Sequence, residues 1–193
     1  MKILQPLLIS ALLALPSVAS AAPEQGGLAA KAKAAFADIT KAKTALDAGK
    51  TKTSDGWLAK TEALLKSAMG KKEGGEALAK TDEAAGAAQQ GDAPKTQTAL
   101  SQAEGAAEKI DPAIAGKLGF AKEQSAQGDT GGASSTVDEA KQAIADKTGL
   151  GGLYDTYQKV TMARSLLKGG DSGKAKGILD QIPSSPADLL KGL

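Results

Sequence analysis

The residues that could do chemistry in this 193-residue chain are few, and the two most versatile types are missing. The chain has no histidine and no cysteine, so it lacks the commonest general base and the usual zinc and thiol chemistry. None of its serines lies in a G-x-S-x-G elbow or in an S-x-x-K context that suggests activation. Of its 22 acidic residues, 12 lie three or four positions from a lysine, a spacing typical of solvated helix faces. The sequence therefore predicts no catalytic, cofactor-binding or metal-binding residues.

A few unusual side chains are left as candidates for contact with a partner. They are Trp57, Tyr154, Tyr157 and Arg164, the only arginine of the chain. Arginine and tyrosine are common at partner-binding surfaces, so this set could grip a peptide or a carboxylate. The alternative is that Trp57 and Tyr157 pack into a poor core while Arg164 lies over it. Of the two roles we favour packing.

Residues 1–22 have the layout of a cleaved secretory signal peptide. Lys2 precedes an apolar run from Ile3 to Leu15, and the small residues Ala19-Ser20-Ala21 form an A-x-A cleavage site. The run of 13 residues is too short to span a bilayer, which takes about 20. We therefore expect a soluble exported protein without integral membrane insertion.

The charge pattern bears on the kind of partner. Removal of residues 1–22 leaves 23 basic and 22 acidic residues in interspersed order. A nucleic-acid-binding protein would favour a basic stripe with arginine forks or stacked aromatics, and the sequence has neither. Aromatic residues make up only 3% of the chain, and alanine dominates its apolar fraction. We expect no nucleic-acid partner, and a thin core that favours low stability or self-association.

Helical patterns fill residues 23–183, which we predict to be a single all-α domain of about eight helices. Apolar residues recur there at the i, i+3, i+4, i+7 spacing of helices with one buried face. The clearest stretch is Met162–Pro183, in which two helices meet at the bend Gly169–Asp171. Residues 184–193 are predicted to be a loosely ordered tail with one helical turn.

Polar residues predict where individual helices begin. Ser54 or Asp55 is placed to cap the second helix, and Ser135–Asp138 resembles a capping box before a later one. Asp111-Pro112 has the order of a cap followed by a proline in the first turn.

The bend of Met162–Pro183 has three counterparts upstream. The four bend glycines are Gly49, Gly91, Gly128 and Gly170, which are 42, 37 and 42 residues apart. The fifth residue after each is small, and the ninth is aliphatic. A small residue lets two helices approach closely, and an aliphatic one fills the seam. The pattern predicts four helical hairpins, as a closed bundle or a short array. An alanine-rich helical chain with glycine turns could also align this way without a true repeat.

The sequence resembles the YfdX family of small exported bacterial proteins. The resemblance is carried by Ala37–Ala42, Thr44–Gly49, the helix Leu58–Ala68, Ala126–Asp129, and Val160–Leu167 continuing through Ala175 to Leu179. It implies a periplasmic, mainly helical protein associated with stress and acid tolerance, with no established enzymatic activity. It implies no catalytic residues for this chain.

These observations lead us to expect a non-enzymatic periplasmic stress protein that binds other polypeptides or itself. With 22 carboxyl groups and no histidine, its charge should change mainly between about pH 3 and 5. We therefore expect an acid-triggered, chaperone-like change of assembly. The alternatives are a small-molecule-binding helical protein, using acidic pairs or the face of Tyr157 and Arg164, and an amphipathic protein of the membrane surface.

Overall fold

The computed structural model describes residues 23–72 and 74–191, with side chains from Gly27 onward. These residues form eight α-helices and a short 3-10 turn and contain no strand, which confirms the all-α prediction. The helices are α1 (Pro23–Asp47), α2 (Thr51–Met69), α3 (Gly75–Gln89), α4 (Ala93–Ala107), α5 (Pro112–Ala126), α6 (Thr130–Lys147), α7 (Gly151–Lys168) and α8 (Ser172–Asp180). The predicted signal peptide lies outside the described residues.

A glycine in the left-handed conformation closes each of the four predicted bends. The φ angles are +70° at Gly49, +72° at Gly91, +82° at Gly128 and +83° at Gly170. In the last bend the Gly170 N–H donates to the Leu167 carbonyl (3.1 Å) and the Asp171 N–H to the Leu166 carbonyl (2.9 Å). The other three bends repeat both bonds at the same spacing. This Schellman arrangement satisfies the last carbonyls of one helix and leads directly into the next.

The positions predicted to lie at the hairpin seams are all buried. The small residues are Ser54, Thr96, Ala133 and Ala175, and the aliphatic ones are Leu58, Leu100, Val137 and Leu179. None of these side chains is more than 4% exposed. The helix pairs α1–α2, α3–α4, α5–α6 and α7–α8 pack against each other as four hairpins.

The hairpins close into two groups of four helices and do not stack in chain order. In the central group, α3 to α6 pack in sequence and α6 returns to α3. In the terminal group, α7 packs on α2 and α8 on α1. The central group is thus inserted between the two hairpins of the terminal group. Of the two predicted arrangements, the closed bundle describes each group better than the open array.

Two predicted helix starts are wrong, and the bends explain both errors. The second helix begins at Thr51 after Lys50, so neither Ser54 nor Asp55 caps it. The sixth begins at Thr130, where the Asp129 carboxylate accepts the Gly132 N–H, so no helix starts at Ser135. In both bends the residue directly after the glycine is the N-cap of the next helix, so a residue further along lies inside that helix and cannot cap it.

The tail packs more closely than the sequence predicts. A 3-10 turn at Asp188–Leu190 contacts α7 and α1, and Leu189 is fully buried. A Cβ atom built on Gly152 would lie 2.9 Å from the carbonyl oxygens of Asp188 and Leu189. The glycine therefore permits the close passage of the tail over the start of α7.

Replacement of the bend glycine Gly170 by alanine should destabilise the protein by about 1 kcal/mol, because a left-handed backbone disfavours a Cβ atom. No atom lies within 4 Å of the added carbon, so the cost is conformational and not steric. The matched control is Gly116→Ala, within α5 and equally open, which should stabilise by about 0.5–1 kcal/mol. Urea unfolding measures both. Equal effects of the two substitutions would contradict the assigned bend conformation.

The hydroxyl group of Ser54 is buried, and among the described residues it has no hydrogen-bond partner. A buried unsatisfied polar group costs about 1–3 kcal/mol. Ser54→Ala should therefore raise the free energy of unfolding, by about 1 kcal/mol more than Ser101→Ala, an exposed serine within α4 that reports helix propensity alone. A loss of stability in Ser54→Ala would show that the hydroxyl has a partner in solution.

Candidate functional site at the junction of the two helix groups

Three helices from both groups meet through polar side chains at one point. The Tyr154 hydroxyl of α7 donates to Asp82 Oδ1 of α3 at 3.2 Å. Lys141 Nζ of α6 lies 3.5 Å from the same oxygen and 2.8 Å from Asp138 Oδ1. Gln158 donates to the Tyr154 oxygen, so that hydroxyl both gives and accepts a hydrogen bond. These contacts tie α7 of the terminal group to the central group.

Burial controls the electrostatics of this junction. It raises the pKa of Asp82 above 3.8, and this effect outweighs the opposing influence of Lys141 and the Tyr154 hydrogen bond. Burial, followed by the nearby Asp82 charge, also raises the pKa of Tyr154 and of Tyr157. Both phenols therefore stay neutral, and Asp82 keeps its proton to a higher pH than an exposed aspartate does.

Beside the junction lies a crevice between α2, α3 and α7. It consists of two cavities of about 180 and 420 Å³, and both are lined by Lys66, Ala79, Asp82 and Tyr157. The smaller cavity also touches Met69 and Leu78. The larger one extends to Lys80 and Glu83, which form an ion pair of 3.2 Å. The crevice combines both signs of charge with an apolar recess, an arrangement suited to binding.

Of the predicted contact residues, the two tyrosines lie at this junction. Their rings stack with centroids 6.3 Å apart. Tyr154 is only 4% exposed and belongs to the core, whereas Tyr157 is half-buried and lines the crevice. The sequence predicts that both tyrosines lie on one helix. It does not predict the contact of Tyr154 with Asp82, which is 72 residues away.

Arg164 holds α7 against α2. Its Nε donates to Asp55 Oδ1 at 2.9 Å, and its Nη1 donates to Glu62. Burial opposes the charge of Arg164, but the hydrogen bonds that it donates to Glu62 and Asp55 outweigh this effect and raise its pKa. The guanidinium group is thus engaged within the protein and fixes the packing of two helices that are distant in sequence.

Trp57 lies at the seam between α1 and α2. The ammonium groups of Lys41 and Lys60 lie 4.3 and 4.4 Å from its ring centroid. Such cation–π contacts stabilise an exposed pair by about 0.5–1 kcal/mol. Trp57 is half-buried and packs against the core, so its observed contacts are structural.

The described part of the chain has no group of three or more acidic side chains placed to hold a metal ion. None of its helices has the length and apolarity needed to cross a bilayer. Comparison with protein-family models, with curated proteins and with solved structures gives no match for this chain. The resemblance to the YfdX family therefore stays a prediction.

Asp82 and Asp171 should affect stability with opposite dependence on pH. The raised pKa of Asp82 gives stability that is present below pH 3.8 and is lost as the pH rises through the folded pKa. The pKa of Asp171 is lowered, first by its bond with Lys174, so its contribution is present above pH 3.8 and is lost in acid.

Relative to the native chain, Asp82→Asn should therefore gain stability as the pH rises from about 3.5 to 6.5. Asp171→Asn keeps a capping side chain but loses the charge, so its deficit should be largest near neutrality and shrink in acid. Urea unfolding across this range measures both differences. Parallel pH trends in the two variants would refute the assigned environments.

Proposed function

We propose that this chain is a non-enzymatic, exported stress protein that binds other polypeptides or itself, and that acid makes it competent to do so. The observation that carries the proposal is that carboxylates fasten helix starts and helix pairs throughout the fold. In the absence of histidine, these groups are the ones that take up protons in mild acid.

Four helices begin at an aspartate whose carboxylate accepts a backbone N–H. The capping distances are 3.1 Å for Asp92, 2.9 Å for Asp111, 2.9 Å for Asp129 and 3.0 Å for Asp171. A cap of this kind stabilises a helix by about 1 kcal/mol. The pKa values of Asp111 and Asp171 are lowered, so acid weakens these two helix starts by removing the negative charge that favours a helix N-terminus.

Carboxylates also join neighbouring helices. The pairs that cross between helices include Lys43–Asp180, Lys117–Glu139, Lys122–Glu104, Lys147–Asp111, Lys176–Asp47 and Arg164 with Asp55 and Glu62. Each exposed pair contributes little by itself. Among these carboxyl groups Asp111 has a lowered pKa, so acid removes its attraction for Lys147. Protonation of the 22 carboxyl groups of the sequence leaves a strongly positive chain.

The pKa shifts of three aspartates have the sign that this mechanism requires. The pKa values of Asp111, Asp171 and Asp188 are lowered, in each case first by a hydrogen bond from a lysine: Lys147, Lys174 and Lys191. A carboxyl with a lowered folded pKa contributes stability above its unfolded value of 3.8 that is lost as the pH falls. The pKa of Asp82 is raised instead, so its protonation in acid does not destabilise the junction, whereas the contacts of the three other aspartates weaken.

The core stabilises the fold only weakly, so the loss of these contacts has a large effect. Alanine supplies 19 of the 38 buried apolar residues in the described part of the chain, and each buries far less apolar area than leucine. At neutral pH only Phe120 and Met162 are large apolar side chains that stand exposed there. A surface for unfolded polypeptides or for a second copy would therefore come from helix faces uncovered in acid.

The test follows the mass of residues 23–193 by light scattering, and the aggregation of an acid-sensitive client protein, from pH 7 to 3. The expected result is a change of assembly below about pH 5, together with reduced client aggregation. A variant with asparagine at positions 111 and 171 keeps capping side chains that do not titrate. Because these two aspartates contribute stability that is lost in acid, the change of assembly in the variant should depend less steeply on pH.

A constant mass and unchanged client aggregation over the whole range would remove the proposal. An acid transition that is the same in the asparagine variant would instead show that the caps do not control it. Circular dichroism at each pH distinguishes loosened helices from a globally unfolded chain.

A further inference from the structure

The crevice between α2, α3 and α7 brings together groups that the rest of the fold leaves unused. Tyr154 and Lys141 contact Asp82 through Oδ1, and no hydrogen bond joins Oδ2 to another described residue. Lys66 extends from α2 and makes no ion pair within 4 Å in the described part of the chain. Both residues line both cavities, so a carboxylate and an ammonium group are available to one small molecule.

The recess next to these charges is mainly apolar, and Glu76 is the one other charged residue among the described residues that line the smaller cavity. Met69 and Leu78 are buried at 5% and 1% exposure and line the smaller cavity with Ala79. The half-buried ring of Tyr157 lines both cavities. An apolar group of a few carbons entering this recess would lose its contact with water and gain packing contacts.

We propose that this crevice binds a free α-amino acid with an apolar side chain. The ligand ammonium donates to Asp82, its carboxylate pairs with Lys66, and its side chain fills the recess beside Met69 and Tyr157. Hydrogen bonds between charged groups are the strong ones, and two of opposite polarity fix the orientation of the ligand.

The two opposite charges select against simpler ligands. A molecule with only an ammonium group would meet the charge of Lys66, and one with only a carboxylate would meet Asp82. Burial raises the pKa of Asp82 despite its neighbour Lys141, so a second cation at Oδ2 would favour the ionised form. A zwitterion supplies that cation without adding net charge to a partly desolvated site.

The experiment is calorimetric titration of residues 23–193 at pH 7 with L-alanine, L-leucine and L-phenylalanine, and with L-leucinamide and N-acetyl-L-leucine. The expected result is saturable 1:1 binding of at least one free amino acid. The amide lacks the carboxylate and the acetylated form lacks the ammonium group, so both should bind at least tenfold more weakly than leucine.

Three substitutions change the crevice in different ways. Lys66→Met removes the cation, Asp82→Asn removes the anion, and Ala79→Leu fills the space from an exposed helix position without changing charge. Each should weaken binding at least tenfold. The matched control Lys95→Met removes an exposed lysine of α4 that lies outside both cavities, and it should leave binding unchanged.

Absence of saturable heat with all three free amino acids would overturn the proposal. Binding that survives within twofold in the three crevice variants would overturn it too, because the ligand would then lie elsewhere. The site needs neither acid nor a polypeptide partner. Its failure would therefore leave the proposed acid response standing, and failure of the acid response would leave this site standing.

Discussion

The close approach of paired helices is the constraint on which the rest of this structure depends. Each repeated bend ends one helix at a left-handed glycine, and the following residue is the N-cap of the next helix. The two helices then lie so near each other that only a small side chain fits five residues after the glycine, where Ser54, Thr96, Ala133 and Ala175 are buried. Alanine-rich seams are the consequence. Such seams bury little area per residue, so the fold gains stability from many helix contacts.

Closure of the chain depends on polar contacts between helices that are distant in sequence. Arg164 fastens α7 to α2 through Asp55 and Glu62, and Tyr154 fastens α7 to the central group through Asp82. Helix α7 therefore belongs to the terminal group and also contacts the central group. Its polar contacts supply orientation that a seam of small, uniform alanines does not.

Two kinds of carboxyl group respond to acid in opposite ways. Asp111, Asp171 and Asp188 are partly exposed and paired with lysines, and their pKa values are lowered. Asp82 is desolvated, and its pKa is raised. Acid thus weakens contacts at the periphery of each helix group, whereas protonation of Asp82 does not destabilise the junction. This difference separates the region that would open from the region that contains the crevice.

The sequence predicted what local patterns determine. Glycine spacing and apolar periodicity located the bends, the seam residues and the all-α class, because these depend on contacts a few residues apart. The starts of α2 and α6 were wrong because Ser54 and Ser135 have the types of caps but not the position. The return of α7 to α2 and the pairing of Asp82 with Tyr154 were not predicted, because helix periodicity carries no information about distant partners. The crevice depends on those pairings.

Packing of α8 against α1 tests the closed arrangement and its loosening in acid. Lys43 and Asp180, an exposed pair with 3.4 Å between Nζ and Oδ1, can be replaced by the only two cysteines of the chain and spin-labelled. Dipolar electron paramagnetic resonance should then give one short distance between the two labels at neutral pH, since adjacent helices lie about 8–10 Å apart. The distance should lengthen and broaden below about pH 4 while helicity persists. A separation of roughly 30 Å or more at neutral pH, as three stacked hairpin layers would impose, would contradict the closed fold, and a distance unchanged down to pH 3 would contradict its response to acid.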